Sequence, residues 1–359
     1  MRVLIVDDST LFRKVVRDTL AECPGVEVVG VASDGQHALE KIEQFQPDLV
    51  TLDVEMPILN GIEVLRQLHM RPVKPDVIML SAMTDHGALA TTQALRLGAF
   101  DFVLKPNHSK LEDSCNQLRN DLLPKVKVLQ ERRHKQAFPE TNRVEAAPPI
   151  LSSSEAPKVI DPSKAKVVGI GVSTGGPAAL SQLLPKLPAN LPVPLLIVQH
   201  MPPMFTKSLA NDLDRASNIS VHEATDGQVV QPGNAYLAPG GKQMKVVVQD
   251  GQKKIQITDD PAERSCKPSV DYLFRSIAHV YGGEAMAMVM TGMGDDGTMG
   301  ARLMKRNGCM VVAQEEKSCV VFGMPRQVIA AGLADKVVPL DQLHEIIQTA
   351  GVRGVTRCR

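Results

Sequence analysis

Residues 167–177 have the sequence VVGIGVSTGGP, an apolar run that leads into a glycine-rich turn and then into a proline-marked helix start. Residues 171–175 match the G-x-S-x-G pattern, in which a serine stands on a sharp strand-to-helix turn with its hydroxyl exposed. Glycine lacks a Cβ and so allows the backbone conformations that this turn requires. Pro177 suits the first helical turn, where a missing N–H group costs nothing. The stretch predicts a strand–turn–helix unit of an α/β domain, with Ser173 as a candidate nucleophile.

A second interpretation of the same stretch is dinucleotide binding. Gly169 and Gly171 begin the G-x-G-x-x-G fingerprint, and a glycine-rich strand-to-helix turn can also bind phosphate. Thr174 occupies the place of the third glycine, and the next predicted strand ends in Gln199 and His200 instead of an acid for the ribose. A nicotinamide enzyme is therefore less favoured than a hydrolase.

The composition is that of a globular protein without an electrostatic preference for nucleic acid. The 359 residues are 43% hydrophobic and 22% charged, which allows two domains with their own cores. Forty basic residues balance forty acidic ones, which disfavours binding to nucleic acid or to an acidic membrane surface. The first apolar run is too short for a signal peptide, and the six cysteines show no C-x-x-C spacing. We expect a cytoplasmic protein with reduced thiols and no membrane insertion.

Short apolar runs alternate with helical patterns in the second half of the chain. Strands are predicted at residues 166–171, 195–198, 219–223, 285–290 and 310–313, and helices at 178–184, 205–216, 270–280, 298–306 and 326–331. A hairpin is predicted at 246–257, where the turn is Asp-Gly. The alternation predicts a Rossmann-like parallel sheet, which gathers functional groups at the carboxyl ends of its strands.

Two of these predicted strands end in residues that can complete a catalytic site with Ser173. His200 follows the second strand, and a glycine-rich turn with Asp296 follows the fourth. Taken alone, His200 and the turn with Asp296 are each typical of an ordinary loop or turn. Because both follow strands in the same domain as Ser173, they favour a hydrogen-bonded Ser-His-Asp arrangement with His200 as general base. The backbone N–H groups of Thr174 and Gly175 would then face a developing oxyanion.

The first half also alternates strands with helices, which predicts a doubly wound (βα)5 domain. The five strands are predicted at residues 3–6, 26–31, 49–52, 77–80 and 100–104. Asp7 and Asp8 follow the first strand, Asp53 ends the third, Ser81 follows the fourth and Lys105 the fifth. Three carboxylates at one sheet edge would repel each other without a cation, and hard oxygen ligands suit Mg²⁺. The pocket suits a carboxylate that attacks a phosphoryl group, with Lys105 offsetting charge and Ser81 donating to a phosphoryl oxygen.

This half resembles the receiver domain of bacterial response regulators over residues 1–123. The matching residues are Asp7-Asp8, the DVEMP run at 53–57, Asn60-Gly61, Ser81-Ala82 and Lys105-Pro106. The resemblance implies that a histidine kinase phosphorylates Asp53, and that Asp8, Asp53 and the backbone carbonyl of Glu55 hold Mg²⁺.

The same resemblance implies that Ser81, Lys105 and Phe102 are the residues that respond to phosphorylation. Phe102 stands where the family carries an aromatic side chain that changes rotamer on activation. A buried core phenylalanine explains Phe102 equally well.

The whole chain resembles the CheB family of chemotaxis protein-glutamate methylesterases, which also deamidate glutamine. The second half shares the motifs GVSTGGP at 171–177, VQHMP at 198–202, YLAPG at 236–240, PSVD at 268–271 and TGMGDDG at 291–297. The resemblance implies Ser173 as nucleophile, His200 as base and Asp296 as orienting acid, whereas PSVD is predicted to be only a helix start. Val172 and Asp295 stand where small residues are expected.

The resemblance also implies a function. The enzyme would hydrolyse glutamate methyl esters on the cytoplasmic helices of methyl-accepting chemoreceptors, under control of phosphorylation, and so reset receptor signalling in adaptation. The catalytic domain would need no cofactor. A response regulator whose second domain only binds a ligand or a partner protein is the alternative.

Four segments are expected along the chain. They are a receiver domain at 1–123, a helix extension and flexible linker rich in Pro, Ser and Ala at 124–162, a catalytic methylesterase domain at 163–350 and a tail at 351–359.

Overall fold

The structure is a computed structural model that describes residues 1–71, 74–106, 111–137 and 161–352. Most of the predicted linker and tail therefore lies outside the described residues. The chain divides into two compact units, and its strands form a five-stranded sheet, a seven-stranded sheet and a separate hairpin. The predicted α/β class is confirmed, with parallel strands in both large sheets.

The first sheet has the strand order β2-β1-β3-β4-β5. Its elements are β1 Arg2–Val6, α1 Thr10–Ala21, β2 Glu27–Ala32, α2 Gly35–Phe45, β3 Leu49–Asp53, α3 Gly61–His69, β4 Asp76–Ser81, α4 Asp85–Arg96, β5 Asp101–Leu104 and α5 Leu111–Ala137. The order reverses between β1 and β3, and ligands of open α/β sheets bind at such a switch point. Side-chain caps start four of the helices, at Ser9, Asp34, Asn60 and Thr84.

Helix α5 extends the predicted helix at 111–133 by one turn and has Pro124 inside it. Its buried face consists of Leu118, Leu122, Val126 and Leu129, at helical spacing. Near its end, two arginines bind carboxylates at the starts of strands. A guanidinium nitrogen of Arg133 lies 2.8 Å from Oδ1 of Asp48, and the Arg132 guanidinium pairs with the Asp76 carboxylate. These contacts anchor the distal end of α5.

The second sheet has the order β14-β13-β12-β6-β7-β9-β8, and the hairpin pairs β10 with β11. The elements are β6 Val168–Val172, α6 Gly176–Leu183, β7 Leu195–Gln199, α7 Phe205–Ala216, β8 Ser220–Glu223, β9 Asn234–Leu237, β10 Gln243–Gln249, β11 Gln252–Thr258, α8 Val270–Tyr281, β12 Met286–Val289, α9 Thr298–Arg306, β13 Met310–Gln314, α10 Met324–Ala330, β14 Lys336–Val338 and α11 Leu343–Thr349. Three short elements, β9, β14 and α11, were not predicted from the sequence.

Helix α8 packs directly on β6, and the two glycines of that strand make this possible. A Cβ at Gly169 would lie 2.7 Å from Ile277 Cδ1, and a Cβ at Gly171 would overlap the side chain of Val270. The two glycines therefore allow α8 to pack closely against β6. This packing explains why the sequence carries the first two glycines of the dinucleotide-binding pattern.

Candidate active site

The predicted site residues follow neighbouring strands of the second sheet. Strand β6 lies between β12 and β7, so Ser173 and His200 follow adjacent strands. The backbone N–H of Ser173 donates to the Thr291 carbonyl beyond β12 at 3.0 Å, and that of His200 donates to the Val172 carbonyl at 3.2 Å. The three strand ends therefore meet at one edge of the sheet, as the alternation of strands and helices predicted.

His200 and Asp296 form the central contact of the site. Nε2 of His200 lies 2.8 Å from Oδ2 of Asp296, and their side chains are 15% and 3% exposed. The carboxylate accepts the Nε2 proton, which leaves the lone pair of a neutral imidazole on Nδ1. Nδ1 is therefore the nitrogen that can accept a proton.

The amino end of α8 holds the Asp296 carboxylate. Oδ1 accepts from the Ser269 hydroxyl at 3.0 Å and from the backbone N–H groups of Asp271 and Gly297, both at 2.9 Å. Oδ2 accepts from the Val270 N–H at 2.7 Å in addition to His200. The predicted helix start at PSVD is confirmed, but its role in holding Asp296 was missed, because no local pattern reveals contacts between segments so far apart.

Burial and pairing shift the pKa values of His200 and Asp296 in opposite directions. Burial opposes an imidazolium, but the Asp296 carboxylate and the neighbouring Cys266 raise the pKa of His200 to about 9. Burial also opposes the carboxylate of Asp296, but His200 and the α8 N–H groups lower its pKa below the usual value. Pairing therefore favours the charged forms of both side chains, against the effect of their burial.

Ser173 lies on the predicted turn and is half-buried. Its carbonyl accepts from the Gly176 N–H at 2.7 Å and from Nε2 of Gln199 at 3.0 Å. Within the described parts of the chain, no hydrogen bond joins the Ser173 hydroxyl to His200. Such contacts are often loose before substrate binds, and the role of Ser173 as nucleophile stays a prediction.

The turn after Ser173 has the backbone that the motif predicts. Gly175 has φ +79°, and a Cβ there would lie 2.5 Å from Val320 Cβ. The hydroxyl of Thr291 donates to the Thr174 carbonyl at 2.9 Å, which ties the turn to the strand end beside it. Among the residues that the structure describes, the N–H groups of Thr174 and Gly175 donate to no other group, so their role as oxyanion donors stays a prediction.

Cys266 is an unpredicted neighbour of the site. Its Sγ lies 3.8 Å from Nδ1 of His200, and it forms a compact group with His200 and Asp296, whose potential ligand atoms lie within 4.8 Å of one another. The sequence offered no signal for it, because Cys266 has no companion cysteine or histidine nearby in the chain.

An acidic pocket lies at the switch point of the first sheet. Nζ of Lys105 lies 2.6 Å from Oδ2 of Asp53 and 2.7 Å from Oδ2 of Asp7. Asp8 completes a group whose carboxylate oxygens lie within 4.8 Å of one another. Burial raises the pKa of Asp53 to about 6 although Lys105 opposes the shift, and Asp53 and Asp7 raise the pKa of Lys105 against its own burial.

The other receiver residues lie near this edge or on its strands. Ser81 is buried at the end of β4, where its hydroxyl lies 3.3 Å from the carbonyls of Ala82 and Gly87. Phe102 is buried on β5. Glu55 lies in the bend directly after β3, with its N–H 3.4 Å from Oδ1 of Asp53. Their roles in switching and in metal binding stay predictions.

Comparison with known proteins gives consistent matches along the chain. The CheB methylesterase family model matches residues 168–347, and the response regulator receiver domain model matches residues 3–116. The protein-glutamate methylesterase/protein-glutamine glutaminase of Desulfotalea psychrophila is 48% identical over 359 residues, which cover 97% of this chain and 98% of the relative. The relative with the same name from Thermotoga maritima is 41% identical over 347 residues, covering 96% and 97%.

A solved structure matches the second half. The crystal structure of the Thermotoga maritima CheB methylesterase catalytic domain is 43% identical, with a TM-score of 0.51, and covers 51% of this chain and 97% of that one. Fold and sequence thus define a response regulator whose second domain has the architecture of an esterase. The chain belongs to the CheB methylesterase family. No helix in the described ranges combines the length and apolar character needed to cross a membrane.

Proposed function

We propose that this chain is a phosphorylation-controlled protein-glutamate methylesterase and protein-glutamine glutaminase that acts on chemoreceptors in the cytoplasm. The observation that carries the proposal is the 2.8 Å contact between His200 and Asp296 at the strand edge where Ser173 stands on its turn. The relatives that cover almost the whole chain carry this activity in their names.

Acylation begins at Ser173. Its hydroxyl oxygen attacks the carbonyl carbon of the methylated glutamate side chain while Nδ1 of His200 takes the hydroxyl proton. Asp296 orients the imidazole and stabilises the imidazolium that forms. The free N–H groups of Thr174 and Gly175 stabilise the negative oxygen of the tetrahedral intermediate.

Acylation ends when the imidazolium gives its proton to the leaving methoxide, so that methanol departs and an acyl-enzyme remains on Ser173. Deacylation then repeats the same steps with water in place of the serine hydroxyl. Water then attacks this ester with His200 as base, which releases glutamate and restores the serine. Glutamine deamidation differs only in that ammonia leaves in the first stage.

The acidic pocket supports phosphorylation at Asp53 by a histidine kinase. Asp7, Asp8 and Asp53 offer only carboxylate oxygens, the donors that Mg²⁺ prefers, and Asp8, Asp53 and the Glu55 carbonyl are the proposed ligands. Bound Mg²⁺ would neutralise charge on the incoming phosphoryl group. The Asp53 carboxylate is the attacking group, and Lys105, already 2.6 Å from it, offsets the added negative charge.

Methanol release from methylated receptor membranes tests the proposal. We expect Ser173→Ala in the full chain to abolish release, whereas Ser181→Ala, on α6 of the same domain, keeps it. A phosphoryl donor should raise the rate in the wild type but not in Asp53→Asn. Unchanged release by folded Ser173→Ala would refute the serine mechanism, and no release by the wild type would favour a domain that only binds a partner.

A further inference from the structure

Cys266 and His200 are spaced as two ligands of one tetrahedral metal ion. Zinc binds cysteine sulfur at about 2.3 Å and histidine nitrogen at about 2.0–2.1 Å, so two such ligands lie about 3.5 Å apart. Sγ of Cys266 and Nδ1 of His200 lie 3.8 Å apart. A shift of about 0.3 Å would seat the ion, which is small for a side chain on a half-buried loop.

His200 is oriented as metal-binding histidines usually are. Such a histidine donates its other ring N–H to a carboxylate, which fixes the tautomer and makes the free nitrogen a better ligand. Nε2 of His200 makes this bond to Asp296 at 2.8 Å. Asp296 is itself held by the Ser269 hydroxyl and three backbone N–H groups, so it supports the ligand and is not a ligand itself.

The loop that carries Cys266 holds the thiol in place. Glu263 and Cys266 exchange two backbone hydrogen bonds, at 2.7 and 3.1 Å. The cationic side chains beside the thiol are neutralised by carboxylates: Arg264 by Asp271 and Asp295, and Lys267 by Asp259. A dication therefore meets no unpaired positive charge on this loop, and partial exposure of both ligands leaves a path from solvent.

We propose that Nδ1 of His200 and the thiolate of Cys266 bind a soft divalent cation such as Zn²⁺, and that the bound ion reversibly blocks the esterase. Binding displaces the thiol proton of Cys266 and the Nδ1 proton of the imidazolium, both of which go to solvent, and water fills the remaining coordination positions. The ion occupies the lone pair that would take the Ser173 proton. The blocking effect rests on the proposed function, whereas metal binding does not.

The first test measures binding without activity. The full chain is titrated with Co²⁺, and the thiolate-to-metal charge-transfer absorption is followed together with Zn²⁺ competition. We expect the band in the wild type and in the matched control Cys319→Ala, a half-buried cysteine elsewhere in the same domain. Cys266→Ala should lose the band and bind more than about tenfold more weakly. An equal band in Cys266→Ala would overturn the site.

The second test measures inhibition of methanol release by Zn²⁺, relative to each variant's own metal-free rate. We expect inhibition of the wild type and Cys319→Ala that a chelator reverses, and a shift of more than about tenfold to higher Zn²⁺ in Cys266→Ala. If the wild type kept its full rate of methanol release when the thiolate-to-metal band is saturated, the proposed inhibition by the bound ion would be overturned. A Cys266-dependent band in a chain without esterase activity would sustain the metal site and refute the proposed function.

Discussion

The hydroxyl of Ser269 donates to Oδ1 of Asp296 at 3.0 Å, opposite the carboxylate oxygen that binds His200. The same hydroxyl accepts from the N–H of Tyr272 and caps α8. One side chain thus starts a helix and orients the acid of the proposed catalytic site.

Replacement of Ser269 separates these two roles. We expect Ser269→Ala to lower the free energy of unfolding by about 1 kcal/mol and to lower kcat several-fold with little change in KM, because the backbone N–H groups alone hold Asp296 less firmly. Ser269→Thr keeps the hydroxyl and should restore both. Steady-state kinetics and urea unfolding provide the measurements. A destabilised Ser269→Ala variant with wild-type kcat would mean that the hydroxyl only caps the helix.

Neutralising Asp296 should abolish its effect on His200. With the carboxylate present the pKa of His200 is raised to about 9, so the imidazole is protonated below that pH and kcat/KM of the wild type should rise with pH through this range. Asp296→Asn removes the charge while burial persists, and the pKa of His200 should fall well below about 9. We expect kcat to fall by about four orders of magnitude. NMR titration of the His200 ring provides the direct check, and an unmoved pKa would contradict the pairing.

A methyl group at Gly292 should disturb the serine directly. A Cβ there would lie 2.8 Å from Ser173 Cβ and overlap Met324, so Gly292→Ala should displace the turn and lower kcat by about 100-fold. Gly169→Ala is the matched control, because the three atoms nearest to its Cβ would belong to core side chains of α8. The control should cost about 1–3 kcal/mol of stability with kcat preserved. Equal loss of kcat in both variants would show that general destabilisation is responsible.

Removing Lys105 should expose the repulsion in the acidic pocket. Lys105→Met leaves the buried carboxylates of Asp7 and Asp53 without their ammonium partner, and we expect about 2–3 kcal/mol of destabilisation at neutral pH. Addition of Mg²⁺ should recover part of this loss, and acidification should narrow the difference from the wild type as the carboxylates protonate. Thermal unfolding of the full chain measures both effects. Lys14→Met, at an exposed lysine on α1, should leave stability almost unchanged.

Local patterns predicted the elements that carry the chemistry. The strands before Ser173 and His200 are buried throughout, with five apolar residues in β6 and four in β7 before Gln199, and the polar residues that follow stand out against them. Strands β9 and β14, of four and three residues, were not predicted. Periodicity is a weak signal over so few residues, whereas the four-residue strand β12 lies in a longer apolar run at 285–290 and was predicted.

By itself, the sequence determined the α/β class of both halves, the strand ends that carry Asp53, Ser173, His200 and Asp296, and the family to which they belong. These follow from short patterns in which neighbouring residues share one element. Only the tertiary structure decided that α8 holds Asp296, that Nε2 of His200 binds it, and that Cys266 faces the other ring nitrogen. Each of these contacts joins segments separated by 25 or more residues, and only the packing of helices and loops on the sheet brings such segments together.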